Sequence, residues 1–387
     1  MHDNDFTTVI EGNAKLLVPK LSLTNKVPPH NPAFFNPLAK LNRDISILIY
    51  NAFLSNIDRS EISFADVLAS IGARGIRVGI EVPKITSVYI NDINRLAISK
   101  AKESVNINSS NYFKYIFTNN DAYTFLSNRP TPNSKKFFIV DLDPFGSPSK
   151  YIDCVLRSTE NNGLISITAT DTTVLCGIYP NVCLRKYYGR SINNSYSNEI
   201  AIRLLLSVVS IIAARFDLSI CPIFVHSNKH YFRIYFQIKK NKTLANKLFE
   251  YLGYLRHCFK CHNREIISEY SSDSCNFCNN RFSVAGKIWL GSLYDKKILR
   301  KILNSNSSLL TNSLIKLFNT AIDEHDEIPY YFTLDEISSI LKTSPKKLDQ
   351  LLSILHNHGY RGSKTAFDYT GFKTNANISQ VASIMRS

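Results

Sequence analysis

The segment Lys136–Pro148, KFFIVDLDPFGSP, constrains this chain more than any other. Phe137, Phe138, Ile139 and Val140 form an unbroken apolar run closed by turn residues. A strand with one wet face alternates, so an unbroken run predicts a strand covered on both faces, as at the centre of a parallel sheet. In open α/β sheets the ligand sits beyond the carboxyl ends of such strands, which puts Asp141, Asp143, Pro144 and Phe145 at the mouth of a site. A carboxylate accepts the hydrogens of an amine and an aromatic stacks on a ring. That combination suits methylation of a base amino group, although the segment alone also fits an ordinary strand-to-loop turn.

The flanking sequence repeats the pattern. Strands are predicted at Phe64–Ala69, Ser87–Ile90, Tyr115–Thr118 and Gly163–Ala169, with helical patterns between them. A long helix over Ser197–Phe216 precedes a strand pair, Ile220–His226 and Tyr231–Ile238, expected as an antiparallel edge. Alternation of this kind predicts a doubly wound α/β sheet. Residues 1–30 are polar and carry Pro28-Pro29, so they are expected to drape over the first domain. Composition shifts after Lys239-Lys240-Asn241-Lys242, which sets a domain boundary: residues 1–240, then 241–387.

A net charge of +15 favours a polyanionic partner, because Lys and Arg near phosphates release condensed counterions. The start, Met1-His2-Asp3-Asn4-Asp5, has no basic region followed by an apolar one, and the most apolar stretch, Leu204–Ala214, lies between Arg203 and Arg215. An intracellular protein, nuclear or cytoplasmic, with no membrane partner is expected, and a monomer. Eight cysteines in a reducing compartment point to metal ligands before disulfides. Cys258-x-x-Cys261 and Cys275-x-x-Cys278, thirteen residues apart, have the spacing of a closed four-thiolate zinc site, structural because it leaves no open position.

Acids end successive predicted strands: Asp92 after the second, Asp121 after the third, Asp143 after the fourth. The first can accept both ribose hydroxyls of a nucleoside and the next the adenine amino group. With no GxGxxG at the first turn, S-adenosylmethionine suits this set better than a dinucleotide. Arg43 and Arg74 offer the planar forks that a methionine carboxylate wants. Toward the C-terminus, helical patterns at Leu334–Leu341 and Pro345–His356, joined at Lys342-Thr343-Ser344, precede a basic hairpin at Tyr360–Lys373. Together they predict a winged-helix-like module able to carry nucleic acid.

Several motifs occur in one order: Asn36-Pro37, Asn42-Arg43-Asp44, Gly72-Ala73-Arg74-Gly75-Ile76-Arg77, Asn91-Asp92, Asp141-Leu142-Asp143-Pro144-Phe145-Gly146 and Thr168-Ala169-Thr170-Asp171. Cys183-Leu184-Arg185-Lys186-Tyr187, Gly359-Tyr360-Arg361 and Gly371-Phe372-Lys373-Thr374 follow. The chain thereby resembles the tRNA (guanine(26)-N2)-dimethyltransferase family over about residues 10–376. The resemblance implies a Rossmann-like S-adenosylmethionine-dependent methyltransferase domain followed by an α+β tRNA-binding domain with the zinc element. It implies transfer of methyl groups from S-adenosylmethionine to the exocyclic N2 amine of a tRNA guanine. By motif position, Arg43, Arg74, Asp92, Asp121 and Ala122 would contact the cofactor. Asp143, Pro144 and Phe145 would form the catalytic turn, with Phe34 on the other face of the base. Apart from the resemblance, the basic segment Arg361–Lys373 is the candidate for tRNA phosphate contacts, through Arg361, Lys364 and Lys373. Ala366, Lys364 and Asn375 depart from the family pattern. Methylation of adenine N6 or a protein glutamine, or an inactive zinc-containing RNA-binding protein, are the alternatives; the first two usually show a second proline before the aromatic, which is missing here.

Overall fold

The computed structural model describes residues 5–386 apart from 109–113, 128–135, 229, 343 and 345, so Thr343 and Pro345 of the predicted C-terminal turn lie outside the described residues. The chain opens with a hairpin of β1 (Phe6–Glu11) and β2 (Ala14–Pro19) joined through Gly12-Asn13. This corrects the expectation of a draped lead-in. Two strand-forming runs about a Gly-Asn pair are a hairpin signal, and Gly12 takes the left-handed φ of 58° that such a turn requires.

The central sheet uses β3 (Ser63–Asp66), β4 (Ser87–Asn91), β5 (Tyr115–Thr118), β6 (Phe137–Leu142), β7 (Thr159–Ala169), β8 (Leu218–Asn228) and β9 (Tyr231–Lys240). Their spatial order is β5-β4-β3-β6-β7-β9-β8. The first five run parallel, whereas β9 is antiparallel to both β7 and β8, as the edge-pair pattern predicts. Strand order reverses between β3 and β6, so a crevice opens past their carboxyl ends. Every residue of β6 is buried. That includes Asp141, which sits beneath the site and not at its mouth; the mouth begins at Asp143.

Helix Ser197–Ala214 is apolar and long enough to cross a membrane by composition, but most of it is buried in the protein, against β8 and β9. The second half adds β10 (Leu252–His257) between β11 (Arg264–Ile267) and β12 (Ser283–Trp289). A last sheet is ordered β13 (Phe332–Thr333), β15 (Gly371–Thr374), β14 (Gly362–Lys364). Helices Leu334–Leu341, Leu348–Asn357 and Ile378–Arg386 accompany it. Phe332, Ile337, Leu351, Leu355, Phe372 and Val381 form a small core there, separate from the main one, which runs from Ala14 to Tyr331.

Lys373 corrects a second expectation. It lies on the middle strand of that sheet with its side chain wholly buried, out of reach of any phosphate. Its Nζ is 2.6 Å from Glu199 Oε1 and 3.1 Å from Glu324 Oε1, and donates to the Ile328 carbonyl at 2.7 Å. Glu199 Oε1 also accepts from Arg203 Nε at 2.9 Å. The lysine therefore bolts the C-terminal sheet to the long helix. Lys373→Ala would leave buried carboxylates short of a cation, a loss of about 3–5 kcal/mol. Urea denaturation should show a lower midpoint, and an unchanged midpoint would mean that the cluster contributes nothing net.

Candidate active site

A cavity of about 470 Å³ occupies the crevice, lined among others by Asp66, Ser70, Arg74, Asp92, Asp143 and Phe145. Asp92 follows β4. Its Oδ2 accepts from the Ser70 backbone N–H at 2.6 Å and its Oδ1 from that of Asn94 at 2.8 Å, so the first loop and the second are pinned by one carboxylate. Gly72, at φ 73°, then turns the chain into helix Ala73–Glu81, whose N-terminus carries Arg74 into the wall.

Both guanidiniums expected to meet a cofactor carboxylate line the cavity, and both already hold protein carboxylates. Arg43 donates through Nε and Nη2 to the two oxygens of Glu11, each at 2.6 Å. Arg74 gives Nη2 to Asp143 Oδ2 at 2.6 Å and Nη1 to Asn42 Oδ1 at 3.0 Å and Ser46 Oγ at 2.7 Å. Its Nε lies 3.3 Å from Asp141 Oδ1. Glu11 is missed by motif reasoning because it arrives from the hairpin; it also meets Arg77, which is fully buried between Glu11, Asp44 and Glu81.

Asp141 is the floor. Its Oδ2 accepts from Tyr50 and Ser166 hydroxyls and from Arg233 Nη2. Burial alone would raise its pKa, but Arg233 and Arg74 outweigh that and hold it below the usual carboxylate range. The neighbouring Asp66 feels Arg74 too, but only enough to offset part of its burial. Burial first, and then the charge of Asp141, push it up to about 7, while its Oδ2 accepts from the Gly75 N–H at 2.9 Å. Nothing in the motif pattern marks Asp66, Tyr50 or Arg233, because their proximity exists only once β3, β6, β7 and β9 are ordered in one sheet and helix Lys40–Leu54 packs on it.

The rim is aromatic. Phe145 is 62% exposed and meets Phe34 edge to face, 4.8 Å between centroids at 86°. His30 adds a third ring, 4.4 Å from Phe145. The turn that presents Phe145 is clamped by reciprocal bonds: Gly146 N–H to Thr170 Oγ1 at 2.6 Å, and Thr170 N–H to the Gly146 carbonyl at 2.9 Å. Gly146 takes φ 74°, which a side chain would strain.

Residues 12–386 match the family model described as N2,N2-dimethylguanosine tRNA methyltransferase. The chain belongs to that family. It is 32% identical over 383 residues to a tRNA (guanine(26)-N(2))-dimethyltransferase of Methanothermobacter thermautotrophicus, covering 98% of each chain. It is 31% identical to the tRNA (guanine(26)-N(2)/guanine(27)-N(2))-dimethyltransferase of Aquifex aeolicus, covering 96% of this chain and 94% of the relative. Among solved structures it is similar to Trm1 from Pyrococcus horikoshii with S-adenosyl-L-methionine: TM-score 0.84, 31% identity, covering 98% and 99%.

The cavity of this family member fits S-adenosylmethionine by charge. A wall with Asp92 and Asp143, and Arg74 already engaged, favours a ligand bearing a sulfonium and an ammonium, and the volume falls in the usual range of ligand pockets, roughly 300–1,000 Å³. Asp121 and Ala122 are not among the residues lining it. Asp121 instead caps helix Ala122–Ser127, accepting from the N–H groups of Tyr123 at 3.0 Å and Thr124 at 3.1 Å and from the Thr124 hydroxyl; these bonds lower its pKa.

The four predicted zinc ligands do converge. All Sγ atoms of Cys258, Cys261, Cys275 and Cys278 lie within 4.8 Å of one another, and the pairs Cys258–Cys278 and Cys261–Cys275 are 3.4 and 3.5 Å apart. A tetrahedron with Zn–S of about 2.3 Å has edges of roughly 3.8 Å, so one zinc fits. The two knuckles repeat one turn. His262 and Asn279, each after the second cysteine, take φ of 59° and 54°, and their N–H groups bond the carbonyls of Cys258 and Cys275.

Metal analysis of the purified protein should find one zinc per chain, absent from a Cys258→Ser/Cys275→Ser variant; zinc retained there would place it elsewhere. For Asp66, the folded pKa of about 7 exceeds the unfolded one near 3.8. The contribution of this carboxyl to stability is then full below pH 3.8 and lost as pH rises through about 7. In the cofactor-free protein, Asp66→Asn should flatten that decline in urea midpoints between pH 4 and 7, whereas an unaltered pH profile would mean that Asp66 is ionised in the fold.

Proposed function

We infer that this chain transfers methyl groups from S-adenosylmethionine to the exocyclic N2 amine of a tRNA guanine, position 26 in the first instance, giving N2-methyl- and N2,N2-dimethylguanosine. The observation that carries this reading is the Asp143-Pro144-Phe145 turn, clamped at the switch point of the sheet with Phe34 opposite, in a chain matched end to end by one family. Family membership favours guanine over adenine N6, a glutamine side chain or an inactive RNA-binding protein.

Bound S-adenosylmethionine supplies an electrophilic methyl on its sulfonium. The guanine amine is a poor nucleophile because its lone pair is shared with the ring. Asp143 and the Pro144 carbonyl accept its two hydrogens and turn that pair toward the methyl, and Asp143 takes the proton released. Arg74, held by Asn42, Ser46 and Asp141, aims the Asp143 carboxylate. Phe34 and Phe145 touch edge to face, which leaves no slot for a third ring, so they part to receive the purine between them. The base has to leave its stack to get there. Asp92 binds the ribose hydroxyls, and Asp121 and Ala122, outside the cavity lining, are kept as candidates for the adenine end.

We keep a functional division near residue 240, with this machinery before it and a tRNA-binding half containing the zinc element after it, although the apolar core runs on across it to Tyr331. Its last helices and three-stranded sheet are read as winged-helix-like. Arg361 and Lys364 remain its phosphate candidates; each is exposed but paired, with Glu327 at 3.0 Å and Asp349 at 2.7 Å, so RNA must displace an acid to engage them. We take the protein to work as a monomer in the cytosol, since the relatives named above are archaeal and bacterial.

Labelled S-adenosylmethionine and unmodified tRNA, followed by nucleoside analysis, should yield both methylated guanosines. Asp143→Ala should abolish transfer yet bind the cofactor. Asp92→Ala should lose cofactor affinity by about 1.5–3 kcal/mol, the loss of charge-assisted hydrogen bonds. Wild-type turnover by Asp143→Ala would remove that residue from the chemistry.

A further inference from the structure

Helix Pro180–Tyr187 stands beside the catalytic turn. It buries Cys183 and Tyr187 and leaves Asn181, Leu184 and Arg185 exposed on one face, with Tyr188 exposed at its left-handed C-cap. Tyr188 is 59% exposed, and Tyr179, just before the helix, 54%. The buried side is anchored to the site. The Tyr187 hydroxyl donates to Asp171 Oδ1 at 2.6 Å and accepts from Ser147 Oγ at 2.8 Å, and Ser147 directly follows Gly146.

Most of the charge of this surface has no acid partner among the described residues. Between Thr172 and Asn198 there is no Asp or Glu, whereas Arg185, Lys186 and Arg190 all fall there. Lys186 leans on Asp171 at 3.3 Å, but Arg185 and Arg190 are exposed and form no ion pair among the described residues. Arg361 and Lys364, by contrast, are already neutralised by acids. Exposed tyrosines beside free arginines suit a partner with both planar rings and negative charge, which is an RNA strand.

We propose that the exposed side of helix Pro180–Tyr187, together with the residues that flank it, docks the RNA strand flanking the target base, with Arg185 and Arg190 on phosphates and Tyr179 and Tyr188 against bases or riboses. This rests on the tRNA methyltransferase reading and adds where the tRNA lies. Being tied through Tyr187 to Ser147, the face holds the flanking nucleotides at a set distance from Asp143.

The test uses the full-length protein and unmodified tRNA. Tyr179→Ala/Arg185→Gln/Arg190→Gln should lower tRNA affinity at least about tenfold, and reduce the slope of log affinity against log salt by roughly one unit per lost phosphate contact. Cofactor affinity by calorimetry should hold, which shows that the fold survives. Arg185→Lys, alone, should keep more of the slope than Arg185→Gln; equal losses would mean that phosphate contact is not what Arg185 provides. Wild-type affinity and slope in the triple variant would overturn the proposal. So would sedimentation showing a wild-type dimer that the variant breaks, since the occupant would then be a second copy. Wild-type protein that neither binds nor methylates tRNA would overturn the underlying reading as well.

Discussion

The structure turns on one buried carboxylate. Asp141 is placed in the middle of the sheet by the apolar run of β6, where an unpaired charge would cost several kcal/mol. Four elements converge to satisfy it: helix Lys40–Leu54 with Tyr50, helix Ala73–Glu81 with Arg74, β7 with Ser166 and β9 with Arg233. Two guanidiniums on one carboxylate leave positive charge over, and Asp143 takes it up through Arg74. The acid that faces substrate is thus aimed by an ion chain whose other end is the antiparallel strand β9, two places along the sheet from β6. Asp66 stands beside this chain, where burial and then the charge of Asp141 outweigh the pull of Arg74 and push it up to about 7.

A second buried ion cluster does for the two halves what Asp141 does for the site. Glu199 and Arg203 on the long helix meet Lys373 from β15 and, through it, Glu324. Arg203 reaches on to the carbonyls of Trp289, Gly291 and Asp326. Such groups are expensive to bury and strict in geometry, so they specify one docking of the second half on the first. The zinc knuckles sit beside this junction. His262, next to Cys261, bonds Glu336, and the same carboxylate takes Arg264, whose guanidinium lies over Tyr196 and Phe332.

The net positive charge sets the partner class without saying where the partner lies. Lys373 spends its charge inside the protein, and Arg361 and Lys364 spend theirs on neighbouring acids. Near the catalytic turn the stretch from Thr172 to Asn198 has basic residues and no acids, and Arg185 and Arg190 there form no ion pair among the described residues. Position relative to acids, not the number of basic residues, decides which cations are available to RNA.

Sequence by itself determined the elements with strong local signatures. Apolar runs closed by turn residues mark the strands of the sheet and its antiparallel edge pair, since periodicity and burial are local properties. Paired CxxC spacing marks the metal site, because knuckle geometry is set within a few residues. The acid-proline-aromatic turn marks the mouth. Tertiary structure alone decided the partners of each charge. Arg43 and Arg74 look like free forks until Glu11 folds in from the N-terminal hairpin and Asp143 swings over. Lys373 looks like a surface lysine until β15 becomes a middle strand whose one face meets Glu199. Asp121 ends its strand as expected but is drawn into capping the next helix. A charged residue carries no local sign of its partner, because ion pairs form between segments tens or hundreds of residues apart, and only the packed fold brings them within bonding distance.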